Sequence, residues 1–369
     1  MTSGSPDPKP TVAGEPRTRL VVLFGGQSAE HEVSLVTARH VLAATDSDRY
    51  EIQPIAITKD GQWVAADEAA RALAAGPAAL PEALPTGGSP THPAEALART
   101  ETEQVVVFPL LHGPLGEDGT VQGLLELAGV PYVGCGVLAS ALAMDKAKAK
   151  DMFAAKDIPQ ARHVTLFEPD VGEAEIDQLE KALGYPMFVK PANMGSSVGV
   201  SKAHDRDELR AALALALDYD ECLVVEEAVV GREIECAVLG NRDVRASLPG
   251  EIRPGAEFYD YADKYQTGAA ELIIPAELPE AVTAELRALA IRAFRALGCE
   301  GMARVDFFYE EGGRGLLVNE INTIPGFTPI SMYPKMWEAT GLRYPDLIDE
   351  LIRLAVERYD RRASRRRSG

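Results

Sequence analysis

Two segments near the C-terminal end, Gly301-Met-Ala-Arg-Val-Asp306 and Leu316-Leu-Val-Asn-Glu320-Ile-Asn322, alternate apolar and polar residues. Such alternation marks strands buried on one face. Between them, Glu310-Glu-Gly-Gly-Arg-Gly is turn material, so the pair predicts an antiparallel hairpin. If Asp306 pairs with Glu320, Arg304 pairs with Asn322, and the period of two puts all four side chains on one face. That face carries two carboxylates, an amide oxygen and a guanidinium. Three hard oxygen donors without a closed protein cage suit Mg²⁺ held against substrate phosphates. The alternative is a surface hairpin with ordinary ion pairs.

The rest of the chain narrows this choice. Its 369 residues exceed one ordinary core and imply two or three domains. The formal net charge of −19 argues against nucleic acid as a partner and leaves room for a small anionic ligand met by local basic residues. Four cysteines without a Cys-x-x-Cys pair read as buried thiols of a reduced, cytoplasmic protein. The N-terminus lacks the apolar stretch of a signal peptide, and no run approaches the length of a membrane span.

Residues 1–16 are rich in Pro, Gly and Ser and are expected to be disordered. Arg19–Phe24 reads as a buried strand, Gly25-Gly-Gln-Ser28 as a turn, and Ala29–Ala44 as a helix, which together open a βαβ unit. Glu51–Thr58 and Gln104–Pro109 read as further strands. The Ala/Pro-rich stretch Ala65–Thr100 between them is expected to be part helix (Asp67–Ala75) and part mobile loop. Neither Gly-x-Gly-x-x-Gly nor a P-loop is present. The loop Leu111–Thr120 follows the third strand, and ligands of open α/β sheets sit at such carboxyl ends. Glu30 and His112 therefore face one crevice, unless Glu30 only balances a helix dipole and His112 only braces its loop.

A turn-rich link at Pro131–Gly136 marks a domain boundary. One helix is expected over Ala139–Lys156, with Lys146 near its apolar face and Lys148, Lys150 and Lys156 solvated. Tyr185–Lys190 reads as a strand, followed by Pro191-Ala-Asn-Met-Gly-Ser196-Ser197-Val-Gly199 and another strand. Small residues at such a tip let backbone N–H groups close over phosphate oxygens, and Lys190 at its root adds charge. A plain hairpin tip is the alternative. Glu226, where the strand Glu221–Glu226 leaves its sheet, accepts from a ribose hydroxyl, lies near adenine, or is simply exposed beside Glu227. The aromatic, charged stretch Glu257–Ala270 suggests a covering loop, with Lys264 reaching a transferring phosphate and Tyr265 a hydroxyl donor. Leu278–Leu297 and Tyr344–Arg358 read as helices, and the basic stretch 361–369 as a solvated tail. Two lysines, a Ser/Gly loop, an acidic hairpin with an arginine and a covering loop suit ATP-dependent activation of a carboxylate.

Six segments resemble the D-alanine–D-alanine ligases of the ATP-grasp superfamily, in family order from about residue 19 to 358. They are Phe24–Ser34, Leu111–Thr120, Ser140–Lys146, Lys190–Gly199, Phe258–Tyr265 and Asn319–Thr328. The resemblance implies an α/β architecture, with a Rossmann-like N-terminal domain followed by a two-subdomain ATP-grasp fold. It implies a tail over 1–16, a substrate domain over 17–137, a central subdomain over 138–226, a catalytic domain over 227–360 and a basic tail over 361–369. It implies that Glu30 holds the ammonium of the first D-alanine in a network with Ser196 and Tyr265, beside His112. Lys146, Lys190, Ser197 and Lys264 would contact ATP phosphates. Glu226, Glu227 and Val229 would form the adenine hinge, and Glu233 would reach the ribose. Arg304 and the Gly326 backbone would meet the tetrahedral intermediate. Asp306, Glu320 and Asn322 would bind two Mg²⁺, or Mn²⁺ in their place. Ser331 and the Met332 backbone would take the second substrate's carboxylate. The partners implied are D-alanine, ATP and a second copy of the chain in a homodimer for peptidoglycan precursor synthesis, with neither nucleic acid nor membrane. One departure is Glu227, where many relatives carry lysine. The alternatives are D-lactate or D-serine as second substrate, or a non-catalytic nucleotide-binding module. A nicotinamide oxidoreductase lacks its glycine fingerprint.

Overall fold

A computed structural model describes residues 17–100, 103–253 and 271–366. The apolar run at Leu20–Phe24 forms the middle of the strand Thr18–Gly25, which pairs in parallel with Tyr50–Ile57 and with Val105–Pro109. Parallel strands are covered on both faces, which is why these runs are almost continuously apolar. The helix His31–Ala44 crosses between the first two strands. Gly25 makes the turn into it at φ +90°, and a Cβ there would lie 2.2 Å from the Ile57 carbonyl oxygen. Only glycine permits that approach.

A second sheet contains four antiparallel strands in the order His163–Phe167, Cys222–Glu227, Met187–Pro191 and Ser201–Ala203. The last two flank the Gly/Ser loop, so the strand–loop–strand expectation holds. Helices Glu173–Ala182 and Arg206–Leu217 bury Ile176, Leu179, Leu209 and Leu213 in this sheet's core. The third sheet is built on Arg232–Gly240, which pairs with Gly250–Arg253 on one side and Gly301–Glu310 on the other. The helix Glu280–Ala296 buries Leu286, Leu289, Ala290, Ala293 and Phe294, the i, i+3, i+4, i+7, i+8 stripe of a core-facing helix.

The hairpin has the expected register: Asp306 pairs with Glu320 and Arg304 with Asn322. A bulge after Asp306 moves the next pair to Phe307 and Val318. Bulges of this kind bend a strand and re-aim side chains.

Three expectations need correction. The single helix over Ala139–Lys156 is two, Val137–Met144 and Lys146–Ala154. Asp145 breaks it: its backbone is extended (ψ 101°) and its carboxylate accepts the Lys148 N–H, an N-cap. The solvated tail from 361 is instead helix as far as Arg366. Arginine is a good helix former, and Arg361 and Arg362 find partners in Glu300 and Glu126. The stretch Ala65–Thr100 does contain a helix, Asp67–Ala74, but its remainder buries Leu80, Leu84 and Leu97. Among the described residues, no helix is long and apolar enough to cross a membrane.

The first and third sheets share one core. Phe327, fully buried, meets Phe108 of the first sheet edge-on at 5.8 Å. It also packs against Tyr333 at 5.8 Å and Tyr344 at 5.4 Å. Phe327→Ala would leave a cavity across this junction, and urea denaturation should show a loss of about 3–5 kcal/mol.

Candidate active site

A cleft of about 1460 Å³ opens where the three sheets meet. Its walls include Glu30, His112, Lys146, Lys190, Ser196, Ser197, Glu226, Glu227, Val229, Glu233, Arg304, Asp306, Glu320, Asn322, Gly326, Ser331 and Met332. Lys264 and Tyr265 lie outside the described residues.

The hairpin forms the acidic floor. Arg304 grips Asp306 through both carboxylate oxygens, Nε and Nη2 each at 2.7 Å. The Asn322 amide donates to the same carboxylate at 2.9 Å. Glu235, which sequence reasoning missed, is paired with Asp306 in the sheet and places a carboxylate oxygen 3.0 Å from Arg304 Nε. Glu235, Asp306 and Glu320 thus form one cross-strand row. Among the described residues, no three His, Cys, Asp or Glu side chains gather closely enough to hold a metal by themselves. The donors present, two carboxylates and an amide, fit an ion that completes its shell with phosphate oxygens and water.

The basic wall is organised by one buried carboxylate. Glu226 is 2% exposed and takes Lys190 Nζ at 2.9 Å and Lys150 Nζ at 3.1 Å. The side chain is therefore not exposed. Burial alone would push its carboxyl up, but the charges of Lys150 and Lys190 outweigh burial and hold it at about 2. Burial in turn lowers Lys150. Lys150 was expected to be solvated, yet it is 2% exposed. The helical spacing from buried Ala147 to Lys150 to Phe153 is the signal that placed it inward. Lys146, first residue of its helix, donates to the Met194 carbonyl at 2.6 Å at the root of the Gly/Ser loop. In that loop Ser196 (φ 49°) and Ser197 (φ 60°) are left-handed. Residues other than glycine seldom hold that conformation, and such turns aim successive N–H groups into a concavity.

Glu227 is also buried, at 9% exposure. It takes Arg162 Nε at 2.7 Å and Arg314 Nη1 at 2.5 Å, tying the second sheet to the hairpin's turn.

Glu30 is 8% exposed and accepts from the Ser196 hydroxyl, so the first sheet reaches the Gly/Ser loop directly. A Cβ on Gly113 or Gly195 would sit 2.8 or 2.9 Å from a Glu30 carboxylate oxygen. His112 is buried, and that burial lowers its pKa against a smaller upward pull from Glu30, so it is neutral at neutral pH. Glu117, also missed, lies in the same loop. Burial and the neighbouring Glu30 charge push its carboxyl up to about 8. On the far side Ser331 stands just before the helix Met332–Ala339 without a side-chain cap hydrogen bond, and its hydroxyl is 2.8 Å from the Thr328 hydroxyl.

Family models described as D-ala D-ala ligase N-terminus and C-terminus match residues 19–135 and 152–353. The chain belongs to the D-alanine–D-alanine ligase family. It is 47% identical to the D-alanine–D-alanine ligase of Acetivibrio thermocellus over 93% of this chain and 97% of that one. It is 50% identical to that of Halothermothrix orenii over 92% and 99%. Among solved structures, the D-alanine–D-alanine ligase from Coxiella burnetii superposes with a TM-score of 0.80 at 39% identity, covering 95% and 97%. The VanG D-Ala:D-Ser ligase from Enterococcus faecalis gives 0.79 at 36%, covering 92% and 99%.

Glu226→Gln would leave the buried Lys150 and the part-buried Lys190 ammonium groups without their counter-charge, a loss of about 3–5 kcal/mol at neutral pH. Because the folded-state carboxyl is held near 2 rather than near 4.5, the wild-type advantage is complete above pH 4.5 and disappears as pH falls towards 2. Chemical denaturation of both proteins between pH 7 and 2 should therefore give curves that converge in acid.

Proposed function

We propose that the chain ligates two D-alanines to D-alanyl-D-alanine with ATP, forming ADP and phosphate through a D-alanyl phosphate. The observation that carries this reading is one cleft with a basic wall, an acidic floor bearing Arg304, and Glu30 opposite them. In this reading Glu30 and Ser196 hold the ammonium of the first D-alanine and keep its carboxylate towards the phosphates. Lys146, Lys190 and the backbone of the Ser196–Ser197 turn receive the triphosphate, and the strand end Glu226–Val229 lies against adenine through its backbone. Glu226 itself sets the two lysines. Asp306, Glu320 and Asn322 would hold Mg²⁺ or Mn²⁺, which would supply neutralisation of phosphate charge during transfer.

The carboxylate of the first D-alanine takes the γ-phosphoryl group, and the bond to ADP breaks. The amine of the second D-alanine, whose carboxylate is held by Ser331 and the Met332 backbone, then attacks the acyl carbon and loses a proton. Arg304 and the Gly326 N–H stabilise the oxyanion until phosphate leaves. Lys264 would contact the γ-phosphate and Tyr265 would join the network of Glu30 and Ser196, as the family resemblance implies. Family membership also supports a cytoplasmic homodimer in peptidoglycan precursor synthesis.

The test is phosphate release from ATP with D-alanine, D-lactate and D-serine, offered singly and in pairs. D-Alanine alone should suffice, and its failure would remove the ligase reading. Glu320→Ala should lose several orders of magnitude in turnover, because the metal's charge stabilisation amounts to several kcal/mol. Dipeptide formation retained by that variant would remove the metal assignment.

A further inference from the structure

The loop after the hairpin is held from across the domain junction at a single residue. The Ile324 N–H donates to Glu117 Oε1 at 3.1 Å, and the Ile324 carbonyl meets His112 Nδ1 at 3.1 Å. Both arms come from the loop that follows the third parallel strand, and that loop is itself braced. Glu117 Oε2 accepts the Gly113 N–H at 2.7 Å, and the His112 carbonyl accepts the Ser28 hydroxyl at 2.6 Å. Gly326 therefore lies between two fixed points. Ile324 is gripped before it, and the buried Phe327 ring is locked against Phe108, Tyr333 and Tyr344 after it. Pro325 between them has a fixed φ.

We infer that Glu117 is a positioning residue of the ligation step: through the Ile324 peptide, with His112 as its second arm, it sets the Gly326 N–H at the oxyanion. The inference rests on the ligase reading above. Both Glu117 oxygens accept backbone N–H groups, so its part is to fix the loop rather than to meet the reacting atoms. Oxyanion donors act at hydrogen-bond distance from where the charge develops, and a displacement near 1 Å costs about a hundredfold in rate. A carboxyl group suits this place, because each of its two oxygens offers a lone pair to one of the two N–H donors. Glutamine would turn an NH₂ group towards one of the two donors.

Glu117→Ala and Glu117→Gln would be compared with wild type for dipeptide formed and ADP released. Glu117→Ala should lose about a hundredfold in kcat and Glu117→Gln about tenfold, with KM for ATP within about twofold. The ratio of ADP to dipeptide is the decisive readout. It should rise above one in both variants, because the acyl phosphate still forms but waits for the second step and hydrolyses. A general structural loss would lower both products together and leave the ratio at one. Either variant turning over like wild type, or losing both products by one factor, would overturn the inference. If Glu117→Ala does not fold, Glu117→Gln decides alone. Wild-type protein that releases no phosphate with D-alanine would instead remove the ligase reading itself.

Discussion

Three adjacent strands of the third sheet set the chemistry by their register alone. Glu235, Asp306 and Glu320 lie side by side on Arg232–Gly240, Gly301–Glu310 and Gly315–Asn322. Arg304 and Asn322 pair in the neighbouring row on the same face. A slip of one residue would carry the acidic row to the opposite face, where Val305, Phe307 and Ile321 now fill the core under the helix Glu280–Ala296. Core packing and the placement of the acidic groups are thus the same constraint. The bulge after Asp306 ends this run of pairs, so the site row and the apolar outer half of the hairpin follow different phases.

Charge in the cleft is partly balanced before any ligand enters. Arg304 neutralises part of the acidic floor through Asp306 and Glu235, and Glu226 neutralises part of the basic wall through Lys150 and Lys190. A buried carboxylate with a single ammonium would be near neutral. One carboxylate with two ammonium groups leaves a net positive charge beside the Gly/Ser loop. That surplus suits a polyphosphate, and it resolves how a chain with net charge −19 takes an anionic ligand. The attraction is local and partly desolvated, where charges are screened least.

The hairpin register was legible because alternation and a Gly-rich turn admit few pairings. The βαβ opening and the strand–loop–strand were legible for the same kind of reason: each is a local pattern whose period states which face is buried. Lys150 was misjudged because a lysine-rich helix reads as solvated unless each lysine is weighed against its i±3 neighbours. Glu235 is a charged residue in the otherwise apolar run 234–239 of the strand Arg232–Gly240, and that anomaly was available in the sequence. Glu117 was not recoverable as a clasp, since its partner Ile324 lies 207 residues away. The continued helix at Arg361–Arg366 depended likewise on Glu126 and Glu300, distant acidic groups that no local window contains.

Distant partners also explain why the cleft holds its shape although each wall belongs to a different sheet. Glu30 bonds Ser196, Glu117 and His112 grip Ile324, Glu227 bonds Arg314, and Arg362 bonds Glu126. Most of these joints involve a charged group, and most are partly or wholly buried. Breaking one would leave an unpaired polar group in a poorly solvated place, which costs more than the bond contributes when made. The glycines at Gly113 and Gly195 fit this scheme. They stand where backbone comes so close to the Glu30 carboxylate that an added Cβ would force that carboxylate to shift. The first sheet therefore reaches both of the others: through Glu30 the Gly/Ser loop, and through Glu117 the loop after the acidic hairpin.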